Sequence, residues 1–165
     1  MISMYVYKRK GLLMILEKVT ANKARIAEDL ILIWEYSVQK THSFLTEQDI
    51  EKLRPLVKLA IKNMQILIVA KKRCGDIMGF IAIENKKVEM LFVKPNYFNK
   101  GVGKALLFFA IKNYDVMLVD VNEQNKKALA FYEYMGFSVF ACSKTDGAGN
   151  PFPILHMRWK GKKQK

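Results

Sequence analysis

The strongest constraint on the fold is a strand that leads through a Gly-x-Gly turn into an almost wholly apolar helix. The apolar strand ends at Val93, Pro95 breaks it, and a polar turn follows to Gly101 and Gly103. A helix with apolar residues on all sides is expected to be buried. The turn leaves backbone N–H groups free at the N-terminus of this helix, and such groups form a site for an anion, above all a phosphate.

Composition and length indicate one globular domain. The chain has 165 residues, of which 51% are hydrophobic and 26% are charged, and this length suffices to bury a core. The apolar run beside the turn, 105–111, is too short to span a bilayer, and the N-terminal run, 12–16, is too short for a signal peptide. Cys74 and Cys142 have no metal-ligand spacing and are expected to be reduced. We therefore predict a cytoplasmic protein with no membrane contact and no metal.

The formal net charge of +13 raises the question of nucleic-acid binding. Only five of the 28 basic residues are arginine, and the lysines are scattered in small groups. Proteins that read nucleic acids favour arginine and concentrate their charge on one element. A nucleic-acid partner is therefore not the favoured interpretation, although a positive potential would attract an anionic cofactor or substrate.

Apolar periodicity predicts elements in the order β-α-α-β-β-β-α-β-α-β-β. This order indicates a mixed α/β sheet with an antiparallel N-terminal half and a βαβ-type C-terminal half. Thr46 begins a predicted capping box, and Pro55 is expected to interrupt the helix that follows. The predicted strands span 14–19, 65–71, 77–84, 87–93, 116–121, 137–143 and 153–159. The predicted helices span 22–44, 49–62, 102–113 and 125–135.

Two stretches of the chain resemble the GNAT superfamily of acetyl-coenzyme A-dependent N-acetyltransferases. One joins Leu91-Phe-Val-Lys-Pro to the Gly-x-Gly turn, and the other, 121–137, has an Asn, an Ala, a Phe-Tyr pair and a Gly-Phe at the spacings of the family. The order of elements agrees from Met14 to Trp159. Three segments together are similar to a small bacterial subgroup of uncertain substrate: 41–45 (Thr-His-Ser-Phe-Leu), 122–125 (Asn-Glu-Gln-Asn) and 150–153 (Asn-Pro-Phe-Pro).

The resemblance implies one domain of the GNAT acyl-CoA N-acyltransferase fold over residues 14–160. Residues 1–13 are then an N-terminal extension, unless Met14 is the true start, and residues 161–165 are a basic tail. The implied reaction moves the acetyl group of acetyl-CoA, the co-substrate, directly to a primary amine in a ternary complex. The acceptor would be a small molecule or a peptide amine, and a homodimer stays open.

The resemblance also implies the cofactor site. Phe98 stands where the family usually has an Arg or Gln, and Asn99 stands at a common Gly position, so backbone amides and lysines would bind the pyrophosphate. The backbone of 91–93 would pair with the pantetheine arm. The implied cofactor-binding residues are Leu91, Phe92, Val93, Asn99, Lys100, Gly101, Val102, Gly103, Lys104 and Asn125. For Asn125 the alternative is the N-cap of its own helix, and both roles are compatible.

Tyr132 is the first catalytic candidate that the resemblance implies. The family keeps a phenol here that hydrogen-bonds or protonates the sulfur of coenzyme A, and a phenol with a pKa of about 10 is a workable donor to the thiolate of a thiol with a pKa of about 8.5. A tyrosine of the hydrophobic core is the alternative.

Glu89 is the second candidate, at a position where the family often has a general base that acts through water. The alternative is a solvated carboxylate paired with Lys86 or Lys87. Strand alternation predicts Glu89, Leu91 and Val93 on one face of the sheet, and Val88, Met90 and Phe92 on the other.

His42 and Phe44 end the first predicted helix, where such enzymes vary to select substrates. They are the candidate substrate residues, although a lone histidine at a helix end is often a cap or a surface residue. Two other functional classes stay open. One is a coenzyme A-binding protein without turnover, and the other is an acetyltransferase of macromolecules, acting on a protein N-terminus, a lysine or a charged tRNA.

Overall fold

A computed structural model describes residues 4–9 and 11–161, which form one eight-stranded sheet with four helices. The strands are Met4–Arg9 (β1), Leu12–Lys18 (β2), Ile66–Lys71 (β3), Ile77–Glu84 (β4), Lys87–Val93 (β5), Leu118–Asn122 (β6), Phe137–Ser143 (β7) and Ile154–Trp159 (β8). The helices are Lys23–Thr41 (α1), Glu47–Asn63 (α2), Val102–Tyr114 (α3) and Lys126–Tyr134 (α4). A 3₁₀ turn spans Pro95–Tyr97.

The strand order is β1-β2-β3-β4-β5-β6-β8-β7, and the described strands are antiparallel except for the pair β5 and β6. The prediction of a mixed α/β sheet is confirmed. Strands β3 and β4 are nearly continuous apolar runs because helices cover both of their faces. Helices α1 and α2 pack on one face of the sheet, and helices α3 and α4 pack on the other.

Two parts of the predicted element pattern differ from the structure. The predicted order omitted β1, which pairs with β2 in a hairpin that turns at Gly11. The predicted interruption at Pro55 is wrong, because α2 continues through it. Pro55 is exposed, so the Glu51 carbonyl that it cannot pair with lies on the solvent side of the helix. Residues 1–3 and 10 of the predicted extension and residues 162–165 of the predicted tail lie outside the described residues.

The capping box at the start of α2 has formed as predicted. The Thr46 hydroxyl accepts a hydrogen bond from the Asp49 amide at 3.2 Å, and the Asp49 carboxylate accepts one from the Thr46 amide at 2.9 Å. These bonds satisfy donors that have no partner within the helix. The box fixes where the chain turns from α1 into α2, and that turn carries His42.

The sheet opens between β5 and β6. The two strands pair only at Lys87 with Leu118 and at Val88 with Val119. Beyond Val88, β5 continues to Val93 along β4, but its other edge has no strand partner in the described part of the chain. The backbone donors and acceptors on that edge are therefore available to a ligand.

A β-bulge lies at the start of this opening. Val88 pairs with Ile83 and Met90 pairs with Ala82, so Glu89 is the extra residue. A bulge reverses the alternation of side chains along a strand. The predicted alternation is therefore wrong for this part of β5. Val88 lies on the α3 face together with Leu91 and Val93, whereas Met90 and Phe92 lie on the α1 face.

Candidate active site

Helix α3 follows a turn in which two residues adopt the left-handed backbone conformation. Asn99 has a φ of 60° and Gly101 a φ of 87°. The first turn of a helix has N–H groups without intrahelical partners, and none of the amides of residues 101–104 donates to an acceptor within the described residues. Unpaired amides at a helix N-terminus attract an anion, and the helix dipole adds to that attraction.

These amides belong to the wall of a cavity of about 720 Å³, which also includes the open end of β5, residues of α1 from one face of the sheet and residues of α4 from the other. The cavity brings together Tyr132, His42 and all ten residues predicted to bind the cofactor. Those ten are Leu91, Phe92, Val93, Asn99, Lys100, Gly101, Val102, Gly103, Lys104 and Asn125. Two predicted site residues, Glu89 and Phe44, are not on its wall.

The charge on the cavity wall has one sign. Lys100, Lys104 and Lys127 line it, and no aspartate or glutamate of the described chain does. Lysines beside unpaired amides match the chemistry of a pyrophosphate. Phe98 also lines the cavity, at the position where the family that the chain resembles usually has an Arg or Gln.

Asn125 is both a helix N-cap and a residue of the cavity wall, which are the two locations that the sequence left open. Its side-chain oxygen accepts a hydrogen bond from the Ala128 amide at 3.1 Å, so it is the N-cap of α4. It is only 8% exposed, and it also lines the cavity. The cap fixes the first turn of α4, and residues of that turn, Lys127 and Ala128, also line the cavity. The two locations of Asn125 are therefore compatible.

Tyr132 has a buried ring and an unpaired hydroxyl. The residue is 6% exposed, and its ring packs edge-on against Phe131 and Phe137 with centroid distances of 5.2 and 5.6 Å. The hydroxyl has no hydrogen-bond partner in the described part of the chain, and it is not sealed inside the protein. Because Tyr132 lines the cavity, the hydroxyl is available to a ligand there. Burial raises the pKa of Tyr132 far above its usual value, so the phenol stays protonated.

Glu89 belongs to a charged network on the α1 face of the sheet. The Lys87 Nζ atom lies 3.7 Å from Glu89 Oε1 and 2.5 Å from Asp120 Oδ2. The other carboxylate oxygen of Asp120, Oδ1, accepts a hydrogen bond from His156 Nδ1 at 2.7 Å. Burial raises the pKa of Asp120, but the bonds from Lys87 and His156 outweigh it and lower that pKa overall. The expectation that Glu89 shares a face with Leu91 is wrong because of the bulge. The pairing with Lys87 that the sequence allowed is present.

His42 is the C-cap of α1, where its amide donates to the Val38 carbonyl at 2.8 Å. Its Nδ1 lies 2.7 Å from the Thr41 hydroxyl oxygen. The ring of Phe44 lies 5.2 Å from that of His42 and 5.5 Å from that of Phe152. Phe44 therefore supports the histidine from outside the cavity.

Two similarities to known proteins identify the family of this chain. A family model described as the acetyltransferase (GNAT) domain matches residues 63–139. The chain is 31% identical over 134 residues to the peptidyl-lysine N-acetyltransferase YjaB of Escherichia coli, covering 81% of this chain and 90% of that protein. The chain belongs to the GNAT acetyltransferase family. It is thus an N-acetyltransferase, as the resemblance implied.

Other GNAT relatives support the fold and the cofactor class. The solution structure of apo YjaB from Escherichia coli superposes with a TM-score of 0.82 at 29% identity, covering 92% of this chain and 100% of that one. The PaiA N-acetyltransferase of Thermoplasma acidophilum, crystallised with coenzyme A, gives 0.63 at 25% identity, covering 87% and 99%. A spermidine N(1)-acetyltransferase of that organism is 30% identical over 123 residues, covering 68% and 74%.

Coenzyme A fits the residues present in this GNAT chain. The unpaired amides at the start of α3 and the lysines beside them suit the pyrophosphate, and the open edge of β5 suits an amide-bearing arm. No helix in the described part of the chain has the length and apolarity needed to cross a membrane. Within residues 4–9 and 11–161, no cluster of His, Cys, Asp and Glu is suited to a metal ion.

Sequence reasoning missed several cavity residues of the GNAT site. They include Ser37, Thr41, Tyr97, Lys127 and Phe131. A signal existed for the first two, because they continue the stripe of α1 that packs against the sheet. For Tyr97 the signal was weak, because a 3₁₀ turn has no apolar periodicity.

Proposed function

We propose that this GNAT protein transfers the acetyl group of acetyl-CoA directly to the side-chain amine of a lysine in a peptide or protein. One observation carries the proposal. Within the described residues, one cavity is lined by the unpaired amides at the start of α3, by the open edge of β5 and by Tyr132, whose hydroxyl has no partner there. An anion site, a backbone edge and a proton donor in one cavity are what a thioester with a phosphorylated carrier requires.

Cofactor binding is assigned to two features of the site. The amides of 101–104, together with Lys100 and Lys104, would bind the pyrophosphate, so Phe98 need supply no polar contact. The free edge of 91–93 would hydrogen-bond to the pantetheine amides, in the manner of an added strand.

Tyr132 would supply the proton for the departing sulfur. Acetyl-CoA, when bound, supplies a thioester carbonyl as the acyl donor. The buried phenol remains protonated at neutral pH, and its hydroxyl has no competing partner in the described residues. A positioned donor of this kind contributes about 10²–10⁴-fold to a rate.

The charge of the cavity wall favours a lysine side chain over a polyamine. A polyamine carries several positive charges and needs carboxylates, but the wall has three lysines and no carboxylate among the described residues. A lysine side chain brings one amine on an apolar stem. Two relatives bear names that distinguish these acceptors: YjaB is a peptidyl-lysine N-acetyltransferase, and the Thermoplasma relative is a spermidine N(1)-acetyltransferase.

The test is an acceptor competition read by mass spectrometry. The protein is incubated with acetyl-CoA and an equimolar mixture of three acceptors. They are a peptide that contains a lysine, the same peptide with a free N-terminus but no lysine, and spermidine. We expect acetylation of the lysine side chain to exceed the other products by at least about tenfold. A spermidine product in the majority would contradict the acceptor assignment. Calorimetric binding of coenzyme A without any product would indicate a binding protein without turnover.

A glycine pair tests the cofactor assignment. A Cβ at Gly103 would meet Phe131 and Val93 at 3.7 Å, an ordinary contact on the cavity wall. Gly103→Ala should therefore fold normally and bind coenzyme A more weakly, because the methyl group occupies the surface that the ligand needs. Gly147→Ala is the matched control, because a Cβ there has nothing within 4 Å and the residue is outside the cavity. Equal affinity of both variants would contradict the assignment.

A further inference from the structure

The hydroxyl of Thr41 has only one proton, and its position determines the state of His42. Thr41 Oγ1 lies 2.8 Å from the Ser37 carbonyl oxygen, which can only accept. It also lies 2.7 Å from His42 Nδ1. Because the hydroxyl proton is donated to the carbonyl, Nδ1 must donate its own proton to Thr41 Oγ1. The neutral imidazole then has its proton on Nδ1 and a lone pair on Nε2.

Nε2 of His42 is free to act on a ligand. It has no hydrogen-bond partner in the described residues and is not sealed from solvent, and the residue lines the cavity. The ring is held on one side by Phe44 and at Nδ1 by Thr41. An imidazole fixed in one tautomer, with an unshared Nε2 lone pair and a place on the wall of a ligand cavity, has the features of a general base.

The surroundings keep this imidazole neutral. Burial lowers the pKa of His42 below its usual value. The titratable groups that share the cavity wall with it are Tyr97, Lys100, Lys104, Lys127, Tyr132 and Tyr134. Glu47 and Asp49 lie in the first turn of α2 beyond the loop, and Asp49 is hydrogen-bonded to Thr46. No carboxylate on the described cavity wall would favour the imidazolium.

We infer that His42 is the general base for the acceptor amine, with Thr41 as the residue that positions it. The inference rests on the proposed function, because it assumes an amine acceptor. A lysine side chain has a pKa of about 10.4 and arrives as the ammonium ion, which has no lone pair. In the proposed step one ammonium N–H bond breaks, its electron pair stays on the amine nitrogen, and the proton moves to Nε2. The neutral amine is then a nucleophile, and the imidazolium returns its proton to solvent.

Two features of the site assist this transfer. Entry into the cavity desolvates the ammonium, and the lysines on the wall repel it, so both lower its pKa toward that of the imidazole. Glu89 is in a less suitable place for the same role. It is not on the cavity wall, and Lys87 already pairs with it.

The first test reads the tautomer without any substrate. The chain has two histidines, His42 and His156. Nitrogen NMR of untagged protein labelled with ¹⁵N-histidine therefore shows the signals of two imidazoles. The signals that disappear in His42→Gln belong to His42. At pH 7 we expect a neutral His42 with its proton on Nδ1. In Thr41→Val the preference for that tautomer should weaken. An Nε2–H tautomer, or an imidazolium at pH 7, would overturn the inference even if the enzyme is active.

The second test is the pH profile of kcat/KM with a lysine peptide. The wild type should show a plateau between the pKa values of His42 and the lysine amine, because the base accepts the ammonium proton throughout that range. His42→Gln should lose about 100-fold at pH 7 and regain rate tenfold per pH unit up to the amine pKa. Its affinity for coenzyme A, measured by calorimetry, should stay within about twofold.

Glu89→Gln is the comparison variant, and its pH profile distinguishes a carboxylate base from the imidazole. A plateau kept in His42→Gln and lost in Glu89→Gln would overturn the inference in favour of the carboxylate. If the wild type acetylates no amine, the proposed function fails. The tautomer measurement then still decides whether Nε2 of His42 carries the free lone pair.

Discussion

Replacing Tyr132 with phenylalanine removes one hydroxyl and leaves the packing unchanged. The ring keeps its edge-on contacts at 5.2 Å with Phe131 and 5.6 Å with Phe137. The lost hydroxyl has no partner in the described residues, so no buried group becomes unsatisfied. We expect the free energy of unfolding to change by less than about 0.5 kcal/mol.

The effect on turnover should be much larger than the effect on stability. Loss of a positioned proton donor lowers kcat by about 10²-fold or more, which corresponds to about 2.7 kcal/mol in the barrier. The assay is thiol release from acetyl-CoA with a saturating lysine peptide, alongside urea unfolding and calorimetric binding of coenzyme A. Tyr36→Phe is the matched control, because Tyr36 is 53% exposed and outside the cavity. A Tyr132→Phe variant that keeps kcat within twofold would refute the assignment of the phenol as the acid.

Three further variants test the scaffold. Thr46→Ala removes one side of the capping box and should cost about 1 kcal/mol in urea unfolding, whereas an unchanged midpoint would contradict its role. In Gly79→Ala the new Cβ would lie 2.7 Å from the Phe92 carbonyl oxygen, so β5 must shift. The expected cost is about 1–3 kcal/mol, measured as a lower Tm. Asp120 has a lowered pKa, so its stabilisation is present above its unfolded pKa of about 3.9 and is lost as pH falls further. Asp120→Asn should therefore flatten the fall in urea midpoint below about pH 4, and an unchanged slope would contradict this.

Local chemistry made most of the fold predictable. The predicted bounds of β4, β5 and β7 agree with the structure because each is an apolar run between clear turn residues. The Gly-x-Gly turn placed the start of α3 correctly at Val102. The strand β1 was missed because it is an edge strand whose apolar side chains are exposed, so its sequence has no alternation of apolar and polar residues. Among the described strands it pairs with β2.

The remainder of the site depends on tertiary contacts that periodicity does not encode. The bulge at Glu89 depends on how β5 pairs with β4, so a strict two-residue alternation assigned Val88 to the wrong face. Similarly, Ser37 and Thr41 continue the packed stripe of α1, but the sequence does not show what that end of the stripe faces. They become wall residues of the cavity only because α1 packs across the open edge of β5.

The short pairing between β5 and β6 explains why one cavity serves both partners of the proposed reaction. Had the two parallel strands paired along their full length, the sheet would separate the α1 face from the α3 face. Because pairing stops at Val88 and Val119, His42 on the α1 side and Tyr132 on the α3 side reach the same space. A general base and a general acid on opposite faces suit a transfer in which the amine enters from one side and the thiol leaves on the other. The opening in the sheet is therefore the feature on which the proposed chemistry depends.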